Sequence, residues 1–216
     1  MIGDYIFVGV IVVLASLTII YLFYDNISIY WVGLLKNRRI TTKFKKFVRD
    51  NDFLYLNNLT LRVSEGNYIN VDHIIFGDKY IYVIGAKFWL GYVVGKIIDE
   101  KWILSDGKLS QYLDNPLKTN DFKCQVIGRI ANARKEDVIN IILIAKSASI
   151  HQMDESLRNF AVLEEKNIEA YILDKERNSP VNVLEEKEIE SIAARLYHYH
   201  LDSLRDKKKY HIKVGR

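Results

Sequence analysis

Cysteine and proline are nearly missing from this chain: its 216 residues hold one Cys and two Pro. A single Cys124 can form no intrachain disulfide, which excludes a disulfide-stapled scaffold and agrees with a reducing compartment. Inside a predicted helix it reads as a packing residue, not as a reactive thiol. With 11 Gly and two Pro, collagen-like and low-complexity compositions are excluded too. Basic residues are absent from the first 35 positions, and no charge of either sign occurs from Tyr5 to Tyr24. Acids are absent from 36–49, where Lys36, Arg38, Arg39, Lys43, Lys45, Lys46 and Arg49 crowd together.

These gaps divide the chain. The uncharged run is 20 residues long, and at about 1.5 Å per residue a helix of that length reaches roughly 30 Å, the thickness of a bilayer's hydrocarbon core. It reads as one uncleaved transmembrane helix, because a cleaved signal peptide would carry basic residues before a shorter apolar run and a small-residue site after it. The basic cluster after the span places the C-terminal part in the cytoplasm and a short N-terminus outside. Tyr21, Tyr24, Tyr30 and Trp31 suit an interfacial aromatic belt, and Ile27 to Leu35 is too short for a second span. The expected organisation is an anchor and interfacial segment over 1–35 and one soluble domain over 36–216. That domain holds 31 basic and 25 acidic residues, with Asp4 and Asp25 left in the anchor. The 36–49 cluster suits anionic lipid head groups, since polybasic segments beside a membrane bind them electrostatically. A second cluster, Arg205 to Arg216, suits lipid or nucleic-acid phosphates, or a solvated frayed end.

The soluble part begins with a short amphipathic helix over 42–48. Segments 55–63, 68–76, 80–88 and 91–98 are rich in Ile, Val and Tyr and are separated by Gly66, Gly77 and Gly91, which predicts an antiparallel meander. Asn115-Pro116 reads as a helix N-cap followed by Pro at the first helical position. The helix is expected to run to Arg134, with Cys124, Ile127, Ile130, Ala131 and Phe122 on its apolar stripe. The run 138–145 reads as a strand covered on both faces, and 168–173 as a second interior strand. Asn182 and Glu185 would cap a final helix with Ile189, Ile192, Ala193, Leu196, His200 and Leu204 on one face. The fold class is therefore α/β or α+β, a mixed central sheet with flanking helices behind one transmembrane helix.

The hairpin around Gly77-Asp78-Lys79 carries the chemistry. Centring the turn between Asp78 and Lys79 sets Asp72 opposite Gly85, with Lys87 on the same face because strand side chains repeat every two residues. An acid and an ammonium so placed form part of what metal-assisted phosphodiester hydrolysis needs, in which acids hold a divalent cation and the ammonium orients water. They also fit a plain cross-strand ion pair, worth under about 1 kcal/mol if exposed. His73 points to the opposite face and reads as packing or a surface group. His198 and His200, two apart on a helix, do not converge on a metal.

The order of basic segment, hairpin with Asp72-His73, Lys87 before Phe88-Trp89, then Trp102 and Asn115-Pro116, resembles the nuclease-related domain (NERD) family, most strongly over 39–144. The resemblance implies a restriction-endonuclease-like PD-(D/E)XK fold, an N-terminal membrane segment, and DNA or RNA cleavage with Mg²⁺ or Mn²⁺. It implies Asp72 as metal-binding carboxylate and Lys87 as catalytic lysine. Gly85 stands where the family has Glu, no Glu occurs over 41–46, and Thr119 stands where Gln is usual. These departures imply a weakened or lost activity. The alternative is a non-catalytic, membrane-tethered module that binds nucleic acid or protein. Rescue of the metal site would need an acid from elsewhere, such as Glu65, Asp99 or Glu100.

Overall fold

The computed structural model describes residues 37–145, 148–152, 159–180 and 183–214, together with Val13, Ser16 and Thr18. It divides the chain into two compact units, Met1–Ile40 and Thr41–Arg216. In the first unit Val13, Ser16, Thr18 and residues 37–40 are helical. The rest of the apolar run lies outside the described residues, and among those described no helix is long and apolar enough to cross a membrane.

The second unit is a mixed α/β assembly with two sheets. Helix α1 covers 37–50. The hairpin of β1 (Leu54–Ser64) and β2 (Asn67–Phe76) continues into β3 (Ile81–Lys87) as the expected antiparallel meander. The chain then makes a smaller sheet from β4 (Gly91–Val94), β5 (Lys101–Ser105) and β6 (Ser110–Asp114) before α2 (Pro116–Ala131) returns it to the main sheet as β7 (Val138–Ile144). β7 pairs parallel to β3. Strand β8 (Ala148–Gln152) joins the smaller sheet, β9 (Phe160–Glu164) pairs parallel to β7, and helices α3 (Ile168–Asn178) and α4 (Glu186–Val214) end the chain. The orders are β1-β2-β3-β7-β9 and β6-β5-β4-β8.

β7 reads V-I-N-I-I-L-I with every side chain buried, as a strand with a parallel neighbour on each side and both faces covered must be. One face of the main sheet packs Ile74, Phe76, Ile81, Val83 and Val138 against Cys124 and Ile127 of α2 and Ile189, Ile192 and Leu196 of α4. α2 starts where its sequence dictates: the Asn115 side chain accepts the Leu117 N–H at 2.9 Å, ahead of Pro116. It stops three residues short of Arg134. Asn132 takes the left-handed conformation at φ 55°, and the Ala133 N–H turns back to the Gly128 carbonyl at 2.9 Å.

Three further expectations are corrected. There is a second sheet, because the predicted strand 91–98 ends at Val94 and the chain turns at Lys96–Asp99, where the Asp99 carboxylate accepts the Lys96 N–H at 2.7 Å. Its core is Val93, Trp102 and Leu104 against Leu117 and Ile142. The expected strand at 168–173 is the start of α3. Ile168 and Ile172 are four apart and both buried, and Glu176 continues the same stripe, so the period is helical. Phe122 and Leu204 lie on exposed surface rather than on apolar stripes. Asn182 lies outside the described residues. Glu185 directly precedes α4, its carbonyl accepting the N–H groups of Glu188 and Ile189.

Candidate functional site

The turn between β2 and β3 closes with the Gly77 N–H on the Tyr80 carbonyl at 3.0 Å. The ladder then runs Phe76 to Ile81 through His73 to Ile84. One step further in that register sets Asp72 opposite Gly85, where the Asp72 carboxylate accepts the Ala86 N–H at 3.2 Å. On the other side of β2, the β1 ladder skips Asn58, whose φ of 54° is left-handed, so β1 is distorted directly beside Asp72. Lys87 is partly buried. Burial lowers its pKa, the Asp72 charge opposes that, and Lys123 of α2 lowers it further. Lys87 therefore lies in the fields of one acid, Asp72, and one further cation, Lys123.

Gly85 decides what this face can hold. A Cβ built there would lie 3.1 Å from Asn120 Oδ1 and 3.2 Å from Ile142 Cδ1. Asn120 is itself fixed: its amide donates to the Val83 carbonyl at 3.0 Å and to Asn140 Oδ1 at 2.8 Å, and Asn140 donates to the Leu117 carbonyl at 2.9 Å. Both amides are about 2 % exposed, so losing one would strand the other in the core. The space in which a second carboxylate would stand is filled by an amide that ties α2 to β3 and β7.

The other acids do not make up the loss. Glu65 is in the β1–β2 turn, at the opposite end of the hairpin. Asp99 is engaged with Lys96, and Glu100 pairs with Lys118. Among the described residues no group of three or more His, Cys, Asp or Glu side chains converges. A hard divalent cation commonly takes six or so oxygen ligands, with one or two carboxylates among them. One carboxylate that already accepts a backbone N–H does not fit that requirement.

The opposite face of the hairpin holds most of the strongly shifted groups, which residue spacing alone does not mark. His73 is fully buried, with Nδ1 2.7 Å from the Tyr55 hydroxyl and Phe44 edge-on at 5.2 Å. Burial lowers its pKa to about 4, against the nearby Asp72 charge. Its Nε2 has no hydrogen-bond partner among the described residues. Glu176 of α3 accepts the Tyr82 hydroxyl at 2.6 Å and the Lys79 N–H at 2.9 Å. A Cβ on Gly77 would fall 2.3 Å from its Oε1, so only glycine lets the carboxylate sit on the turn. Burial raises the pKa values of both Glu176 and Tyr82. His200 accepts the Thr60 N–H at 2.9 Å, which makes it a structural group. A cavity of about 340 Å³ lies along the far half of α2, beside Cys124, Arg129, Lys135 and Phe160, and includes neither Asp72 nor Lys87.

The geometry above is that of a β-hairpin presenting an acid and a lysine, followed by a helix and a parallel strand. The family model of the nuclease-related domain, NERD, matches residues 33–145, more than half of the chain. This chain belongs to the NERD family. The matched region takes in α1, both hairpin strands, the smaller sheet's β4 to β6, α2 and β7. The mixed sheet with α2 crossing between β3 and β7 is consistent with the restriction-endonuclease-like superfamily. No curated protein matches the chain. NERD membership makes the function nuclease-related and makes a divalent metal the usual cofactor of such a domain, although in this NERD chain the donor set around Asp72 does not fit one.

Proposed function

We propose that this NERD protein engages a phosphodiester backbone through its Asp72–Lys87 face without cutting it efficiently, and that it does so tethered to a membrane. The observation that carries the reading is the packing of Asn120 and Ile142 onto Gly85, which crowds the place where the second acid of a cation site would stand. What remains is a lysine raised in energy by burial beside a second lysine, an arrangement that a phosphate oxygen relieves by charge-assisted hydrogen bonding. Asp72 limits the attraction and holds the end of β3 through Ala86.

A supercoiled-plasmid nicking assay with Mg²⁺ or Mn²⁺ tests this, run on the wild type beside Asp72→Ala and Lys87→Ala. The expected outcome is no metal-dependent nicking above a protein-free blank, with salt-sensitive DNA binding that falls in Lys87→Ala. Metal-dependent nicking abolished in both variants would make the protein an active nuclease and end the proposal.

The tether is the uncharged run from Tyr5 to Tyr24, with the basic 36–49 stretch on the cytoplasmic side against anionic lipid. A reporter enzyme fused to the C-terminus should be active only inside the cell; activity confined to the outer face would reverse that orientation.

A further inference from the structure

The two sheets finish their exposed edges in opposite ways. β1 is the edge of the main sheet, and α4 covers it with side chains. The Arg62 N–H donates to Ser203 Oγ at 2.9 Å, the Thr60 N–H donates to His200, and the Tyr199 hydroxyl donates to the Arg62 carbonyl at 2.9 Å. Arg62 also pairs with Asp206. An edge dressed in this way offers little to another strand.

β6, the edge of the smaller sheet, has no such cover among the described residues. Its five residues Ser110–Asp114 contain no Pro and no Lys, form an unbroken ladder with β5, and are exposed except for Leu113. The Asn115 N–H donates to the Glu100 carbonyl at 3.0 Å and the Asp106 N–H to the Leu109 carbonyl at 3.2 Å. Odd-numbered positions therefore face β5, and the alternation of an antiparallel ladder turns the backbone groups of Ser110, Tyr112 and Asp114 outward. Tyr112 is 74 % exposed and Leu109 77 %.

We propose that β6 pairs with β6 of a second copy of the chain, antiparallel about a two-fold axis at Tyr112, joining two four-stranded sheets into one of eight strands. The strand is self-complementary in that register. Tyr112 meets Tyr112, and Ser110 meets Asp114 on both sides of the axis, so each outward-facing residue meets another outward-facing residue. No like charges oppose each other across the seam, since Asp114 faces a hydroxyl. The contact uses the same surface on both copies and is closed after two.

Disulfide trapping on the full chain tests the register. Residues in a hydrogen-bonded antiparallel pair have Cα atoms about 5.5 Å apart, inside the range a disulfide spans, and the native Cys124 is buried. Under mild oxidation in nonionic detergent, Tyr112→Cys is expected to give a disulfide dimer of twice 25.2 kDa, at least tenfold more than Ile98→Cys, a turn position of equal exposure. Ser110→Cys and Asp114→Cys should each stay monomeric alone and link when mixed. Adding Ser110→Pro to Tyr112→Cys removes one outward N–H without touching a bond to β5, and should bring linking down to the Ile98→Cys level; Ser110→Lys serves if the proline variant misfolds. Tyr112→Cys linking no faster than Ile98→Cys overturns the proposal, as does a wild-type chain that sediments as a monomer at every concentration.

Discussion

The two faces of the β2–β3 hairpin carry polar groups of opposite kinds. On one, Lys87 lies in the fields of Asp72 and Lys123, and its ammonium has no hydrogen-bond or ion-pair partner among the described residues. On the other, His73 is matched to Tyr55 and Glu176 to Tyr82 and the Lys79 amide. Burial shifts titration on both faces, but only one of them leaves a charge to be satisfied from outside. A strongly perturbed pKa therefore marks fastening as readily as function: the back-face groups hold α1 and α3 to the hairpin, and the front face keeps an unsatisfied cation.

The comparison breaks if the back face proves dispensable. Glu176→Ala leaves the Tyr82 hydroxyl and the Lys79 N–H without an acceptor, at about 1–3 kcal/mol for each buried donor, so a loss of about 4 kcal/mol is expected from urea denaturation. A loss below 1 kcal/mol would remove Glu176 from the fastening role.

His73 gives the pH dependence. Its folded pKa of about 4 lies below the unfolded 6.5, so between those values the unfolded chain binds the proton and the folded one does not. Stability is full above pH 6.5, declines as pH falls toward 4, and levels off below that. The decline from this group is at most about 3 kcal/mol, with Tyr55 on Nδ1, Phe44 against the ring and Asp72 opposing the shift. Thermal melts of His73→Gln should lack that component, and an unchanged slope would assign the acid sensitivity elsewhere.

On the front face, Asn120→Ala should cost about 2 kcal/mol by stranding Asn140 and the Val83 carbonyl. Gly85→Glu alone should cost about 1–3 kcal/mol through overpacking. Combined, the two changes should cost less than their sum, because the first vacates the space the second needs. Strict additivity in the double-mutant cycle would mean that Asn120 does not guard the site. Lys87→Met is expected to move stability by less than about 1 kcal/mol, in either direction, since it removes a partly desolvated charge. Its effect should appear in polyanion binding instead.

Where short-range physics decides, the sequence was legible. The register of the hairpin followed from the position of its turn, which fixes every later pairing, and Asp72 stands opposite Gly85 as that arithmetic required. The buried strand at Val138–Ile144 and the Asn115 cap followed from composition and spacing. Ile168 to Leu173 was ambiguous because six residues of mostly apolar character satisfy either period, and the choice is made by Glu176 reaching the hairpin turn 97 residues away. The smaller sheet was hidden for a similar reason, because β8 reaches it only after β7 has been laid down. The role of Asn120 could have been suspected only from Asn140, a polar residue inside an otherwise apolar run.

Covering the β1 edge from α4 has a consequence for the order in which the protein is made. Thr60 and the His200 that receives its N–H are 140 residues apart, which at roughly 5–20 residues per second is a translation delay of about 7–28 s. For that interval the nascent hairpin has an open side, and a chaperone or a neighbouring nascent chain can reach it. The completed C-terminal helix ends that exposure.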